Sequence, residues 1–215
     1  YGAGAGILGT MRIQDSVFTG DNEPGCQGQD GRTVIHVENS YIDLSRLEIK
    51  DNSLGVYLKL SSGSLTNSTI DVKCNGIDTN SHKVTGTINH TLYLNDNTIT
   101  TEEGAGITAY DGAIVDANRN VISGASAGSG LAIRDSFVIA NDNTIGPIGG
   151  FNGFWIFGTS DVSAENNTIQ DTGAEAVLLG EYHFDDQGWN VPRPTASRLY
   201  FANNEISNNT GTCNS

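Results

Sequence analysis

The sequence predicts an all-β chain wound into a coil of short strands, and three observations carry that prediction. Glycine and asparagine, 27 and 22 residues of 215, make nearly a quarter of the chain turn-forming. That composition does not suit a helical bundle, which draws on Ala, Leu, Glu and Lys. One phrase also recurs: Asn97-Thr98-Ile99, Asn120-Val121-Ile122, Asn143-Thr144-Ile145, Asn167-Thr168-Ile169 and Asn204-Glu205-Ile206, with weaker copies ending at Ile70, Ile49 and Phe18. Finally, Ile99, Ile122, Ile145 and Ile169 stand 23, 23 and 24 residues apart, the mark of a repeat architecture.

Within each repeat the elements follow in a fixed order. The first strand precedes the Asn and alternates small or apolar residues with polar ones: Leu92/Leu94, Val115/Ala117, Val138/Ala140, Val162/Ala164, Leu199/Phe201. Alternation with period two places those side chains inward. The Asn-x-Ile phrase forms the next strand, with the Ile inward. After a turn comes a third strand, whose inward residues are Val56/Leu58, Ile77/Thr79, Ile107/Ala109, Leu131/Ile133, Phe154/Ile156 and Val177/Leu179. A repeat this short has no room for a helical crossover between parallel strands. Coiling resolves the difficulty, because each repeat becomes one rung and each strand pairs with its equivalents about 4.8 Å above and below. The Asn column is expected to sit at a left-handed turn, with its amides bonded from rung to rung.

The Asn-x-Ile frame, with Gly76-Ile77, Gly106-Ile107 and Gly130-Leu131 opening the third strands, resembles the parallel β-helix repeat of the pectate-lyase-like superfamily from about Met11 to Ile206. The resemblance implies a single-stranded right-handed parallel β-helix of about eight rungs, three short strands per rung. It also implies a polysaccharide as partner, handled by lyases, glycoside hydrolases, uronan epimerases or non-catalytic surface proteins. No catalytic signature of one such family is present, so no family residue carries over. One β-helix domain, residues 1–215, is expected, as part of a longer parent.

The repeat is interrupted near 19–33, 80–91 and 182–195, where spacings of 31, 29 and 37 residues exceed the mean. Cys26 lies in the first insertion, which is long enough to be tied to Cys74; a Cys26–Cys74 disulfide is expected, with Cys213 left over. That pairing nudges the location outward, to a secreted or cell-surface protein. A formal charge of −14 without a basic patch argues against nucleic acid. No run of 18 apolar residues offers a transmembrane segment. The open ends of such a coil call for a homo-oligomer or an adjoining domain to cap them.

The outward positions of the third strands form the candidate site. They hold Tyr57, Tyr110, Trp155 and Phe157, rings able to lie against sugar faces, with Asp111, Arg134, Asp135 and Glu181 at their edge. His183 and Trp189 lie in the longest insertion and join the rings as candidate substrate contacts. Asp111 and Asp135 occupy equivalent positions one rung apart, where two carboxyls serve acid/base work, hold a Ca²⁺ ion, or are ordinary turn residues. Arg134 suits a base or carboxylate clamp in a β-elimination. Three function classes stay open: a polysaccharide-active enzyme, a non-catalytic carbohydrate-binding or surface-adhesion module, and a structural assembly domain.

Overall fold

The computed structural model describes residues 9–20, 26, 33–81, 91–180, 183–184, 190–191 and 197–210. They form three parallel sheets, one short antiparallel strand pair and no helix. The first sheet has eight strands, from Gly9–Gln14 to Arg198–Ala202, and the second has eight, from Val17–Thr19 to Glu205–Ser207. The third has seven: Thr33–Glu38, Leu54–Lys59, Ile77–Asn80, Ile107–Tyr110, Leu131–Arg134, Phe154–Phe157 and Val177–Leu179. In each of these three sheets a strand pairs with its equivalents one repeat earlier and one repeat later. The chain is therefore a right-handed parallel β-helix of about eight rungs.

The register is the one the spacing predicts. Ile99 pairs with Ile70 and Ile122, Ile145 with Ile122 and Ile169, and Ile169 with Ile206. From Ile70 to Ile169 this column is fully buried. Branched aliphatic side chains repeat at one position because stacked rungs offer each of them the same hole. The glycines that open the third strands have a packing reason. A Cβ on Gly106 would stand 2.3 Å from the Ile122 γ2 methyl and 2.9 Å from the Gly130 carbonyl oxygen, and Gly76, Gly130 and Gly153 are confined in the same way.

The asparagine column is a continuous ladder. Asn97 donates from its backbone N–H and its Nδ2 to Asn120 Oδ1, at 3.0 and 3.1 Å. Asn120 does the same to Asn143, Asn143 to Asn167, and Asn167 to Asn204. Each of these Nδ2 groups also reaches a backbone carbonyl, as Asn120 does to Leu94 at 2.7 Å. The buried amides are thus satisfied on both sides, which their burial requires. One part of the expectation is corrected. The left-handed residue of this corner is the one before the ladder, Asp96, Arg119, Asp142, Asn166 or Asn203, and the ladder Asn itself has ordinary backbone. The side chain must point inward to reach the next rung, so the neighbouring residue makes the bend.

Cys26 and Cys74 are joined by a disulfide, as expected, which ties the first insertion to the turn before the third strand of its rung. Cys213 and most of the three insertions lie outside the described residues. Within the longest insertion, His183–Phe184 pairs antiparallel with Asn190–Val191.

Candidate functional site

The outward positions of the third sheet fall into two columns in the expected register. One runs His36, Tyr57, Asp78, Thr108, Ala132, Trp155, Leu178, and the other Glu38, Lys59, Asn80, Tyr110, Arg134, Phe157. Outward positions of a solenoid need not be apolar for the fold. Here they carry an aromatic array that spans several rungs.

The rings are in contact. Trp155 stacks on Phe157 at 4.7 Å between centroids, and Phe151 lies nearly parallel to Trp155 at 6.4 Å. Phe157 meets Tyr110 edge to face at 6.1 Å, and the Arg134 guanidinium sits 4.7 Å over the Tyr110 ring. Phe151 is 49% exposed, whereas Phe157 is only 9% exposed, wedged between its neighbours. Phe157 therefore supports the array from behind, and Phe151, which sequence reasoning passed over because it precedes the strand, joins the accessible part. Among the described residues the buried indole N–H of Trp155 has no hydrogen-bond partner, an exception among buried donors.

The polar edge is built at the corner after the third strand. Asp111 and Asp135 both adopt left-handed backbone there, with φ of 56° and 49°. Arg134 donates to both oxygens of Asp111, from Nη2 at 2.9 Å to each and from Nε at 3.2 Å to Oδ1, and Asn80 Nδ2 donates to Asp111 at 3.3 Å. Asp135 Oδ1 accepts the Thr159 backbone N–H at 2.8 Å. The two carboxylates thus share a corner column but face separate partners. Among the described residues no group of three His, Cys, Asp or Glu side chains converges as a metal ion would require. Tyr57 stands further along the sheet, edge to face with His36 at 4.8 Å, and Lys59 is tied to Glu38 at 3.3 Å. Glu181 and Trp189 lie outside the described residues, as does the His183 side chain.

One functional group was not singled out from the sequence. Asp78 occupies the outward column between Tyr57 and Thr108, and it accepts a hydrogen bond from the Thr108 hydroxyl. Burial raises its pKa above the ordinary aspartate value, against the lowering effect of hydrogen bonds from Thr108 and Asn75 and of the Arg134 charge. Burial, reinforced by the Asp78 charge, also pushes the Tyr110 phenol up to about 12. Tyr57 is raised for the same two reasons. Both phenols are therefore neutral donors at ordinary pH. The sequence signal was the column itself, since Asp78 is the one carboxylate in it.

No family model matches the chain, and no curated protein does. Among solved structures, the crystal structure of the periplasmic alginate epimerase AlgG is similar at 13% identity and a TM-score of 0.44, over 92% of this chain and 50% of that one. The chain thus spans about half the length of that protein. What defines the class of this protein is its own strand topology: a three-sheeted parallel β-helix with an aromatic and acidic outer face.

Proposed function

We propose that the outer face of the third sheet binds a polysaccharide chain, and that the protein is a polysaccharide-active β-helix protein, secreted or held at the cell surface. The observation that carries this reading is the contiguous array Phe151, Trp155, Phe157, Tyr110 and Arg134 on one outward face. Flat rings in a row match the apolar faces of successive sugars, and the neighbouring Asp111, Asn80 and Asp135 match their hydroxyls. The unpartnered Trp155 N–H adds a donor that a sugar oxygen would satisfy once the surrounding rings shift. The Cys26–Cys74 disulfide supports an oxidising compartment. Asp111, Arg134 and Asp135, with Glu181, are the groups proposed for chemistry on the bound chain, whether hydrolysis, elimination or epimerisation. Tyr57, His183 and Trp189 extend the proposed contact surface.

A second reading, assembly through the same face, is favoured by the exposure of Phe151 beside Trp155. Trp155→Ala separates the two. On the glycan reading it weakens binding of neutral or uronate hexasaccharides by about 1–3 kcal/mol, by analogy with base stacking, and leaves the molecular mass unchanged. On the assembly reading it releases monomer in light scattering, because a central interface aromatic often contributes about 2 kcal/mol or more. A variant that keeps both mass and affinity defeats both.

A further inference from the structure

We infer that the glycan taken up by the third sheet is uncharged, a polymer of neutral sugars and not of uronates. The inference rests on the glycan-binding reading of that face and narrows its ligand.

A polyuronate carries a carboxylate on every sugar, so a face built to hold one has to present cations that the protein has not already neutralised. The charges of this face are arranged otherwise. Its described outward and corner positions hold four acids, Glu38, Asp78, Asp111 and Asp135, against two permanent cations, Lys59 and Arg134. Both cations are engaged. Lys59 and the His36 ring converge on one oxygen of Glu38, at 3.3 and 3.1 Å. Arg134 Nη2 donates to both oxygens of Asp111 at 2.9 Å and Nε donates to Oδ1 at 3.2 Å, while the guanidinium lies 4.7 Å over the Tyr110 ring. One of the edges with which a guanidinium grips a carboxylate at two points is thus filled by Asp111, and a ring covers one of its faces. A uronate arriving there meets the Asp111 charge together with the guanidinium and gains no net attraction.

The pairing extends beyond this face. Every Lys and Arg among the described residues lies 2.5 to 3.8 Å from an Asp or Glu, and the whole chain carries a formal charge of −14. A polyanion is therefore repelled at long range and meets compensated cations at contact. What the face does offer suits a neutral sugar: the rings of Phe151 and Trp155 for its apolar face, and carboxylates that accept from its hydroxyls.

The charge of the ligand also bears on the chemistry. Elimination and epimerisation both begin with loss of a proton from the carbon that bears the uronate carboxylate, and a neutral sugar has no such activated proton. Of the three reactions proposed for Asp111, Arg134, Asp135 and Glu181, hydrolysis is the one an uncharged chain leaves open. Arg134 then positions Asp111 and does not clamp the substrate.

The test is calorimetric titration of the wild type with cellohexaose, maltohexaose, mannohexaose and xylohexaose, with hexagalacturonate and hexamannuronate, and with hexaglucosamine as a cationic control, at about 20 mM and about 500 mM NaCl. The tightest ligand should be a neutral sugar whose affinity changes less than about twofold between the two salt concentrations, and at the lower one each hexauronate should bind at least about tenfold more weakly. Glu38→Gln and Asp111→Asn, each checked for folding by its thermal melt, release Lys59 and Arg134. Either should raise hexauronate affinity about threefold or more at low salt. A hexauronate that binds as tightly as the best neutral sugar and is driven off by salt would overturn the inference, and so would hexaglucosamine behaving in that way. Folded variants that leave hexauronate binding unchanged would overturn it as well, since pairing of the cations would not then be what excludes the anion. A wild type that binds none of the sugars, or binds them no differently after Trp155→Ala, would overturn the glycan reading itself. Preferred binding of a hexauronate that is lost in Trp155→Ala would leave that reading standing and defeat this one.

Discussion

At the scale of single residues, Asp78 shows how an outward position can cost the fold something. A carboxyl whose pKa is raised on folding binds its proton more tightly in the folded chain than in the unfolded one. Stability is then fully present below the unfolded pKa and falls as pH rises toward and through the folded value. Asp78→Asn removes that linkage while keeping an amide oxygen for the Thr108 hydroxyl. Thermal melts should therefore show Asp78→Asn more stable than wild type at neutral pH, with the advantage vanishing below the ordinary aspartate range. A difference that stays constant across pH would show that burial of the charge is not what Asp78 costs. The sequence alone displays Asp78 in its column, but its environment comes from Tyr57 and Tyr110 on the rungs before and after it and from Asn75 in a turn. A linear pattern records which column a residue joins; the desolvation of that residue depends on side-chain directions across rungs, which the pattern does not contain.

At the scale of the element, each rung is fixed by a few contacts repeated in the next. The Ile column, the Gly column that faces it and the Asn ladder were legible in the sequence because each recurs at the repeat length, and repetition is what stacking requires. The left-handed corner residue was misplaced by one position because Asn suits both roles: it tolerates positive φ, and it also carries the amide that bridges rungs. Where Arg119 takes the corner, with φ of 56°, and Asn120 takes the ladder, the roles separate. The Gly column gives the sharpest test. Gly106→Ala would drive its methyl against both the Ile122 side chain and the Gly130 carbonyl oxygen, and the carbonyl belongs to the neighbouring rung's backbone and cannot rotate away. Denaturant unfolding should show a loss of about 1–3 kcal/mol, the usual range for overpacking a tight core. Adding Ile122→Leu, which removes the branched methyl, should recover only part of it. Full recovery would mean that the side chain, and not the backbone approach, sets the need for glycine.

At the scale of the whole molecule, the coil is a one-dimensional stack in which each rung is held by the rung before and the rung after. A solenoid of this kind has a stability close to the sum of rung and interface contributions, so its ends are weaker than its middle. The burial of one repeated position makes the gradient visible. The Ile column is fully buried from Ile70 through Ile169, yet Ile206 is 50% exposed, and Leu179, at an inward position of the last third-sheet strand, is 47% exposed. At the other end Phe18 is only partly buried. The ladder Asn at this corner follows the same gradient, with Asn97 through Asn167 buried and Asn204 less so. Amide hydrogen exchange should therefore be slowest in the strands holding Ile122 and Ile145 and fastest in Val17–Thr19 and Glu205–Ser207. A flat profile would show that the coil opens only as a unit. The expected gradient also bears on the candidate site, because Asp78, Tyr110 and Arg134 lie on middle rungs while Trp155 approaches the weaker end. Local opening there would free the Trp155 ring before it disturbed the Arg134–Asp111 pair. Adjustment of the aromatic platform to a ligand would then leave the polar edge in place.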